Sequence, residues 1–348
     1  MNILHITPDF NYACGRSYYV YLLMKYLSQS GNNVSLLTNG GDSLERLSEL
    51  KLNFYVFKPL HFKDPVSYAR SLMKVRKLIR QYDINVVHTH HRYSELLAVL
   101  AVGGIKKRKV KTVFTSLSFV DRKYEVEYRS DCIIAVSNAI KKMLVENFSV
   151  DEKKIRTISN FTDTDELSES SGLNDSHFNI LSVGRFHPEK NYETLFEALD
   201  YLNDKYLKFY LVGEGRDLKK YIEIVKQKAL NVEFVAPAKN LQKYFSLADV
   251  CVLSSVRDPF PNFMLQSGLF RKPFIGSNVD GIPELITNKK NGLLFEPNNY
   301  VQLAECINTL RVNLTLATGC AQNLHSDVMS NYTQDSVIPK IEELYSEV

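Results

Sequence analysis

Short runs of apolar, β-branched residues alternate with longer amphipathic stretches along the whole chain. Such short runs are typical of strands buried on both faces, whereas apolar spacings of three and four indicate helices. In the first half the pattern predicts strands over 3–7, 34–38, 54–57, 86–88, 112–115, 133–136 and 155–158. In the second half it predicts strands over 180–183, 209–212, 232–235, 250–253, 274–276 and 293–295.

Helical patterns lie between these strands. They include residues 17–30, 66–82, 138–148, 192–202, 218–230 and 301–310, and a last helix is expected over 335–346. Regular alternation of strand and helix favours parallel sheets with helices on both faces. The predicted fold class is therefore α/β, with doubly wound parallel sheets.

A polar, acidic segment over residues 160–177 divides the pattern into two halves. It contains few large apolar residues, which is typical of a connection between domains. A chain of 348 residues is also long enough for two domains of ordinary size. We expect a first domain over 1–163, a second over 164–330 and a C-terminal segment over 331–348.

Composition narrows the class of protein. With 45% hydrophobic and 24% charged residues, the chain is close to an average globular protein and unlike a disordered or fibrous one. The longest uncharged apolar run, 96–105, is about half of what a membrane-spanning helix needs. The N-terminus does not resemble a signal peptide, and the five scattered cysteines suggest reduced thiols. We therefore expect a cytoplasmic protein.

The net charge of +4 is unevenly distributed. Residues 1–150 carry 22 − 12 = +10, and residues 151–348 carry 21 − 27 = −6. The densest basic run is 106–109, and Lys74, Arg76, Lys77 and Arg80 precede it on a predicted helix. Ordinary solvated lysines are one explanation. An anionic membrane is another, which leaves open a peripheral position on the inner face of the cytoplasmic membrane. No nucleic-acid partner is expected.

Loops that follow predicted strands carry the candidate chemistry, because ligands bind beyond the carboxyl ends of parallel strands. In the first loop Gly15 opens a helix whose N–H groups suit an anion, although a glycine here equally serves the turn alone. A second loop contains Gly184, Arg185 and Lys190. Two cations in one loop suit a diphosphate, and a surface salt bridge is the alternative.

A third loop places Asp258 before a proline-bearing helix start, with Gln266 eight residues further on. Alone, Asp258 is equally consistent with a loop or capping residue. A fourth region, 280–297, shows turn signals around a short strand. The histidines at 88, 90 and 91 lack evident further ligands at workable spacing, so no metal site is expected.

In their order and spacing these loops resemble the retaining, nucleotide-sugar-dependent glycosyltransferases of family four. The residues that carry the resemblance are Cys14-Gly15, Gly184-Arg185 with Lys190, Val212-Gly213-Glu214-Gly215, Asp258 with Gln266, Asp280-Gly281-Ile282-Pro283-Glu284 and Asn291-Gly292-Leu293-Leu294. The resemblance covers nearly the whole chain. It implies the GT-B fold, with two Rossmann-like domains facing across a cleft and the last helix packed back on the first domain.

The resemblance also implies roles for individual residues. A nucleotide sugar, such as a UDP- or GDP-sugar, would be the donor, with no metal or cofactor. Arg185 and Lys190 would hold its diphosphate, and Asp258 would contact the transferred sugar. The implied donor-binding residues are Gly15, Gly184, Glu214, Val235, Ala236, Phe260, Pro261, Asn262 and Gln266.

Three of the chain's departures from the family concern contacts to the donor or the transferred sugar, and a fourth places Asp280 where the family has the first glycine of a Gly-Gly-Ile-Pro-Glu turn. Asp258 and Gln266 replace two glutamates, and Leu117 stands where the family has a histidine that meets the transferred sugar. His90, His91 and Ser116 are the remaining acceptor-side candidates.

We therefore predict a metal-independent, retaining hexosyltransferase of cell-surface polysaccharide or glycolipid synthesis. Its acceptor would be a sugar, a lipid-linked molecule or a small molecule. One alternative is a non-catalytic nucleotide-sugar-binding accessory protein of a glycosyltransferase complex, which the loss of the histidine at 117 favours. A nucleotide-sugar epimerase of the same fold is a third possibility, and the 258–266 segment fits it less well.

Overall fold

The computed structural model describes residues 1–62, 64–105, 110–124, 126–167, 176–237 and 241–347. The chain forms two units, each with its own sheet and core: unit 1 comprises Met1–Asn160 with Gln334–Val348, and unit 2 comprises Phe161–Thr333. The predicted boundaries stood at 163/164 and 330/331. The basic run 106–109 and part of the acidic segment, 168–175, lie outside the described residues.

Unit 1 is built on a seven-stranded parallel sheet of order β3-β2-β1-β4-β5-β6-β7. Its strands are β1 Asn2–Ile6, β2 Asn33–Thr38, β3 Asn53–Val56, β4 Val86–Thr89, β5 Lys111–Ser116, β6 Cys132–Ala135 and β7 Ile155–Thr157. Its helices are α1 Gly15–Gln29, α2 Leu44–Glu49, α3 Pro65–Gln81, α4 Arg92–Gly103, α5 Asn138–Phe148 and α12 Gln334–Glu347.

Unit 2 is built on a six-stranded parallel sheet of order β10-β9-β8-β11-β12-β13. Its strands are β8 Phe178–Val183, β9 Leu207–Val212, β10 Val232–Val235, β11 Val250–Leu253, β12 Phe274–Ser277 and β13 Leu293–Phe295. Its helices are α6 Tyr192–Leu202, α7 Leu218–Gln227, α8 Gln242–Leu247, α9 Asn262–Leu269, α10 Tyr300–Val312 and α11 Leu314–Asn331.

The predicted fold class is confirmed, and all thirteen predicted strands are present within about two residues of their expected ends. Local chemistry explains several helix ends. Asp64 caps α3 by accepting a hydrogen bond from the Ser67 N–H at 2.9 Å, and Pro65 occupies the first helical turn. Asn313 separates α10 from α11 and caps the latter by accepting from the Leu316 N–H at 3.0 Å.

The C-terminal helix α12 returns to unit 1 and packs against α1. Asn32 donates to the Glu342 carboxylate at 2.7 Å, and the Tyr345 hydroxyl lies 2.6 Å from Nδ1 of His88. These contacts join residues about 250 to 310 positions apart and make α12 part of the unit 1 core. None of the described helices combines the length and the apolar character needed to span a membrane.

In both sheets the strand order reverses beside the first strand of the unit. β1 lies between β2 and β4, and β8 lies between β9 and β11. Such a reversal opens a crevice at the carboxyl ends of the two central strands, where ligands bind in open α/β sheets. In unit 2 this edge is formed by the loops that follow Val183 and Leu253.

Candidate functional site

The loop after β8, residues 184–191, is held by the turn that follows β9. The Gly184 N–H donates to the Val212 carbonyl at 3.0 Å, and the Phe186 N–H donates to the Glu214 carbonyl at 2.8 Å. The Phe186 ring is buried and lies edge-on to Tyr192 at 6.0 Å between centroids. The backbone of the loop is therefore fixed independently of any ligand.

Two glycines of the β9 turn are required by this close approach. A Cβ at Gly213 would lie 2.0 Å from the Gly184 carbonyl oxygen, and one at Gly215 would lie 2.3 Å from that of Phe186. Only glycine leaves room for contact of backbone on backbone. The side chain of Glu214, between them, is exposed.

Lys190 and Asp258 form an ion pair at the carboxyl ends of β8 and β11. Their Nζ and Oδ2 atoms are 2.5 Å apart, and the side chains are only 18% and 5% exposed. The Ser255 hydroxyl lies 3.2 Å from the same carboxylate oxygen and donates to it. Oδ1 of Asp258 makes no hydrogen bond to any residue that the structure describes. One carboxylate oxygen is thus anchored while the other stays available.

Further hydrogen bonds fasten the two loops to each other. The Val256 N–H donates to the Glu189 carbonyl at 2.9 Å, and the Ser254 hydroxyl donates to the Lys190 carbonyl at 3.1 Å. From β12, the Ser277 hydroxyl donates to the Ser255 carbonyl at 2.5 Å. The position of the ion pair therefore depends on three neighbouring strands.

Arg185 and Gln266 have unengaged polar groups. Arg185 is exposed and forms neither a hydrogen bond nor an ion pair with a described residue. Gln266 is on α9 with 6% of its surface exposed, and within the described ranges its amide makes no hydrogen bond. The guanidinium of Arg185 and the side-chain amide of Gln266 are therefore available to donate hydrogen bonds to a ligand.

The other predicted donor-binding residues occupy several positions in unit 2. Phe260 is buried 5.5 Å from the Tyr332 ring, Pro261 is the N-cap of α9 and Asn262 its first residue. Val235 ends β10, and the exposed Ala236 follows it. Of all the predicted site residues, the structure joins Lys190 directly to Asp258, with Gly184 beside Lys190.

Four predicted residues lie in unit 1. Gly15 is the exposed first residue of α1, and His91 caps α4 by accepting a hydrogen bond from the Tyr93 N–H. His90 and Ser116 are only 3% and 2% exposed. Of the three acceptor-side candidates, His91 therefore has the most accessible surface.

A cluster of three buried histidines lies at the crevice edge of the unit 1 sheet. His5 on β1 is the register partner of His88 on β4, and Nδ1 of His5 lies 3.0 Å from Nε2 of His90. Both nitrogens of His88 contact hydroxyls, those of Tyr345 at 2.6 Å and Thr115 at 2.7 Å. Sequence reasoning missed His5, although pairing β1 with β4 in register would have placed it there.

Each of the three imidazoles offers a nitrogen within 4.8 Å of the others, so they could share a metal ion. The residues around them already provide hydrogen bonds for His88, and His5 pairs with His90. Burial lowers the pKa of His5 to about 3 and holds the pKa values of His88 and His90 well below the usual range. The cluster is therefore neutral near pH 7.

Comparison with known proteins agrees with this fold. Residues 163–323 match the family model described as glycosyl transferases group 1, and residues 15–166 match that of glycosyltransferase family 4. The chain is 21% identical to N-acetyl-alpha-D-glucosaminyl L-malate synthase of Bacillus anthracis, over 94% of this chain and 92% of that protein. It is 23% identical to the Escherichia coli UDP-Gal:alpha-D-GlcNAc-diphosphoundecaprenol alpha-1,3-galactosyltransferase, over 79% of both chains.

Among solved structures, Anabaena HepE in complex with UDP and glucose superposes with a TM-score of 0.89 at 16% identity, covering 99% of both chains. A second HepE structure contains UDP-glucose and superposes at 0.86, with 17% identity and full coverage of both chains. The two parallel-sheet units thus define the GT-B fold. The chain is a glycosyltransferase of the group 1 type, and the resemblance drawn from its motifs is confirmed.

Gly184 generates a stability prediction. A Cβ at this position would lie 2.8 Å from the hydroxyl of Tyr192, a side chain that is fully buried and cannot swing away. We expect Gly184→Ala to lower the free energy of unfolding by ~1–3 kcal/mol, as overpacking does. Tyr192→Phe removes the clashing hydroxyl, so the double variant should recover most of that loss in urea denaturation.

Gly103→Ala on α4 is the matched control, because nothing lies within 4 Å of its added Cβ. We expect no loss of stability there, since alanine is the better helix former. Strictly additive effects of Gly184→Ala and Tyr192→Phe would contradict the steric explanation.

The buried histidine cluster predicts that the folded protein loses stability in acid. Because the folded-state pKa values lie below the unfolded value of about 6.5, the unfolded chain binds more protons as the pH falls through 6.5. Stability present at neutral pH should therefore be lost below about pH 6.5, by up to ~1.4 kcal/mol per pH unit for each histidine. Urea denaturation between pH 7.5 and 5 measures the slope of the free energy of unfolding against pH.

His90→Gln should make the slope shallower by the contribution of about one proton. An identical slope for His90→Gln and the wild type would contradict the assignment.

Proposed function

We propose that the protein transfers a hexose from a nucleoside diphosphate sugar to a hydroxyl acceptor with retention of anomeric configuration. The observation that carries this proposal is the desolvated Lys190–Asp258 pair at the strand-order reversal of unit 2. Among the described residues one oxygen of its carboxylate has no hydrogen-bond partner, and the exposed Arg185, in the same loop as Lys190, forms no ion pair with any of them.

In this proposal Oδ1 of Asp258 accepts a hydrogen bond from a hydroxyl of the transferred sugar. Lys190 uses one N–H for Oδ2 of Asp258 and has two more for a diphosphate oxygen. Arg185 adds a planar fork that suits two phosphate oxygens. The two cations stabilise the charge that develops on the leaving diphosphate, which makes a metal ion unnecessary.

The bond from the anomeric carbon to the diphosphate oxygen breaks, and a bond from the same carbon to the acceptor oxygen forms on the same face. The acceptor proton passes to an oxygen of the departing diphosphate. Because the leaving group takes that proton, this route needs no protein base and tolerates Leu117 in place of the family histidine.

The remaining donor contacts follow from the same arrangement. The unengaged amide of Gln266 is proposed to bind the ribose hydroxyls, with Phe260, Pro261 and Asn262 beside the sugar and Val235 and Ala236 at the base. The HepE complexes with UDP and UDP-glucose support a UDP-sugar as the first donor to test, with GDP-sugars as the alternative.

The acceptor class is proposed from the relatives. The Escherichia coli relative is named for a diphosphoundecaprenol-linked GlcNAc, and the Bacillus anthracis relative is named as an N-acetyl-alpha-D-glucosaminyl L-malate synthase. We propose a role in polysaccharide or glycolipid synthesis, with His91 as the acceptor-side candidate to test first.

The proposed roles of Asp258 and Arg185 predict a similar loss of kcat but different effects on UDP affinity. Asp258→Asn should lower kcat by about 10²–10³-fold and leave UDP affinity within about threefold, because Asp258 is proposed to contact the transferred sugar and no atom of the nucleotide, and asparagine keeps an oxygen acceptor for Lys190. Arg185→Ala should lower kcat by a similar factor and also weaken UDP binding. Turnover of UDP-sugars in EDTA, together with calorimetry of UDP binding, separates the two.

Arg216→Ala is the control for a lost surface cation, since its side chain is 66% exposed and lies in the neighbouring turn. It should retain wild-type turnover and affinity. If Asp258→Asn and Arg185→Ala reduced UDP affinity equally, Asp258 would be a structural residue.

A peripheral position on an anionic membrane is proposed for unit 1. On α3 the exposed residues Val66, Arg70, Met73, Lys77 and Arg80 recur at spacings of four and three, and so form one stripe. Val66 and Met73 are 66% and 60% exposed. Apolar and basic side chains on one exposed helix face suit an anionic lipid surface.

The stripe predicts binding to vesicles. We expect sedimentation with phosphatidylglycerol-containing liposomes at low salt, reduced at least tenfold in Arg70→Glu/Lys77→Glu and by high salt. Lys219→Glu, an exposed position on α7 of unit 2, is the control and should bind as the wild type does. Failure of the wild type to sediment would end the membrane proposal.

A further inference from the structure

The loop that contains Asp258 is hydrogen-bonded to the turn at 280–281. Oδ2 of Asp280 accepts a hydrogen bond from the Asp258 backbone N–H at 2.9 Å. In return the Gly281 N–H donates to the Asp258 carbonyl at 3.1 Å. Both backbone groups of Asp258 are therefore bonded to two consecutive residues of another segment.

Gly281 is fixed by the same contact. A Cβ at this position would lie 1.8 Å from the Pro259 carbonyl oxygen, so no other residue permits the approach. Gly281 therefore lets the two segments pack closely, and Asp280 accepts the side-chain hydrogen bond that joins them.

Asp280 has a backbone φ of +48°, in the left-handed region that glycine occupies most easily. In the family that the motifs resemble, a glycine stands here. An aspartate tolerates this conformation better than most residues, at a modest cost in strain. Its presence is accounted for by the bond that its carboxylate makes.

The carboxylate of Asp280 is half-buried, and the charged groups that act on it are Arg257 and Asp258. Burial raises the pKa of Asp280, with the nearby charge of Asp258 as a further cause, while the hydrogen bond from the Asp258 N–H and the charge of Arg257 oppose the shift. A second carboxyl group this close to Asp258 needs a function of its own.

We propose that Asp280 is a positioning residue for Asp258: it holds the Asp258 backbone so that the free carboxylate oxygen points at the transferred sugar. The inference rests on the proposed function. Lys190 and Ser255 fix Oδ2 of Asp258 from the side-chain end, and Asp280 with Gly281 fixes the backbone end. If the contacts at one end are lost, the Asp258 carboxylate can rotate about the other end. Small misplacements of a catalytic group can cost up to about 10²-fold in rate.

Asp280→Gly is the decisive variant, because it removes the acceptor and also relieves the positive φ. We expect kcat to fall 10- to 100-fold, with UDP affinity changed less than threefold. Asp280→Asn keeps an oxygen acceptor at the same position and tolerates the same φ, so it should retain kcat within about threefold.

Hydrogen exchange of a peptide spanning 254–261 gives a readout that does not depend on turnover. Asp280→Gly should exchange at least tenfold faster there than the wild type, and Asp280→Asn should not. If the wild type turned over no nucleotide sugar, the proposed function would be wrong. The hydrogen-exchange measurement would still test whether Asp280 holds the Asp258 loop in place.

Three results would overturn the inference: wild-type kcat in Asp280→Gly, equal losses of kcat and UDP affinity, or an Asp280→Asn variant as impaired as Asp280→Gly. The last result would mean that charge matters and the hydrogen bond does not.

Discussion

The ion pair between Lys190 and Asp258 constrains most of unit 2 around the candidate site. Moving two charges out of water is costly, and a buried pair persists only where geometry and additional hydrogen bonds offset that cost. Here Ser255 supplies a hydrogen bond to the carboxylate, while Ser254, Ser277 and Val256 fasten the two loops together. The same contacts that make the pair tolerable determine where one free carboxylate oxygen lies.

The pair also gives the two cations of the 184–190 loop, Arg185 and Lys190, different roles. Lys190 is paired with Asp258, whereas Arg185 is exposed and unpaired among the described residues. A diphosphate entering the site would therefore gain most from Arg185, and Lys190 would couple phosphate binding to the position of Asp258. In this account binding of the leaving group and orientation of the sugar contact are linked through one ammonium group.

The strands could be predicted because runs such as Cys132 to Val136 are buried on both faces and leave a continuous apolar signal. Helix α11 was missed because small residues, Ala317, Cys320 and Ala321, make much of its buried face and give a weak pattern. Motif spacing predicted Lys190 and Asp258 as site residues, but not their ion pair across 68 positions. His5 was missed for the same reason, since only strand pairing brings it to His90.

Slow donor hydrolysis without acceptor shows whether the Lys190–Asp258 site acts on a bound nucleotide sugar. The purified protein is incubated with a panel of UDP- and GDP-sugars, and released nucleotide is measured for the wild type and for Lys190→Ala. We expect the wild type to release nucleotide from at least one donor and the variant to release it at least about 10²-fold more slowly. Calorimetric binding of a nucleotide sugar with neither hydrolysis nor transfer from any donor would contradict this expectation and indicate an accessory, non-catalytic protein.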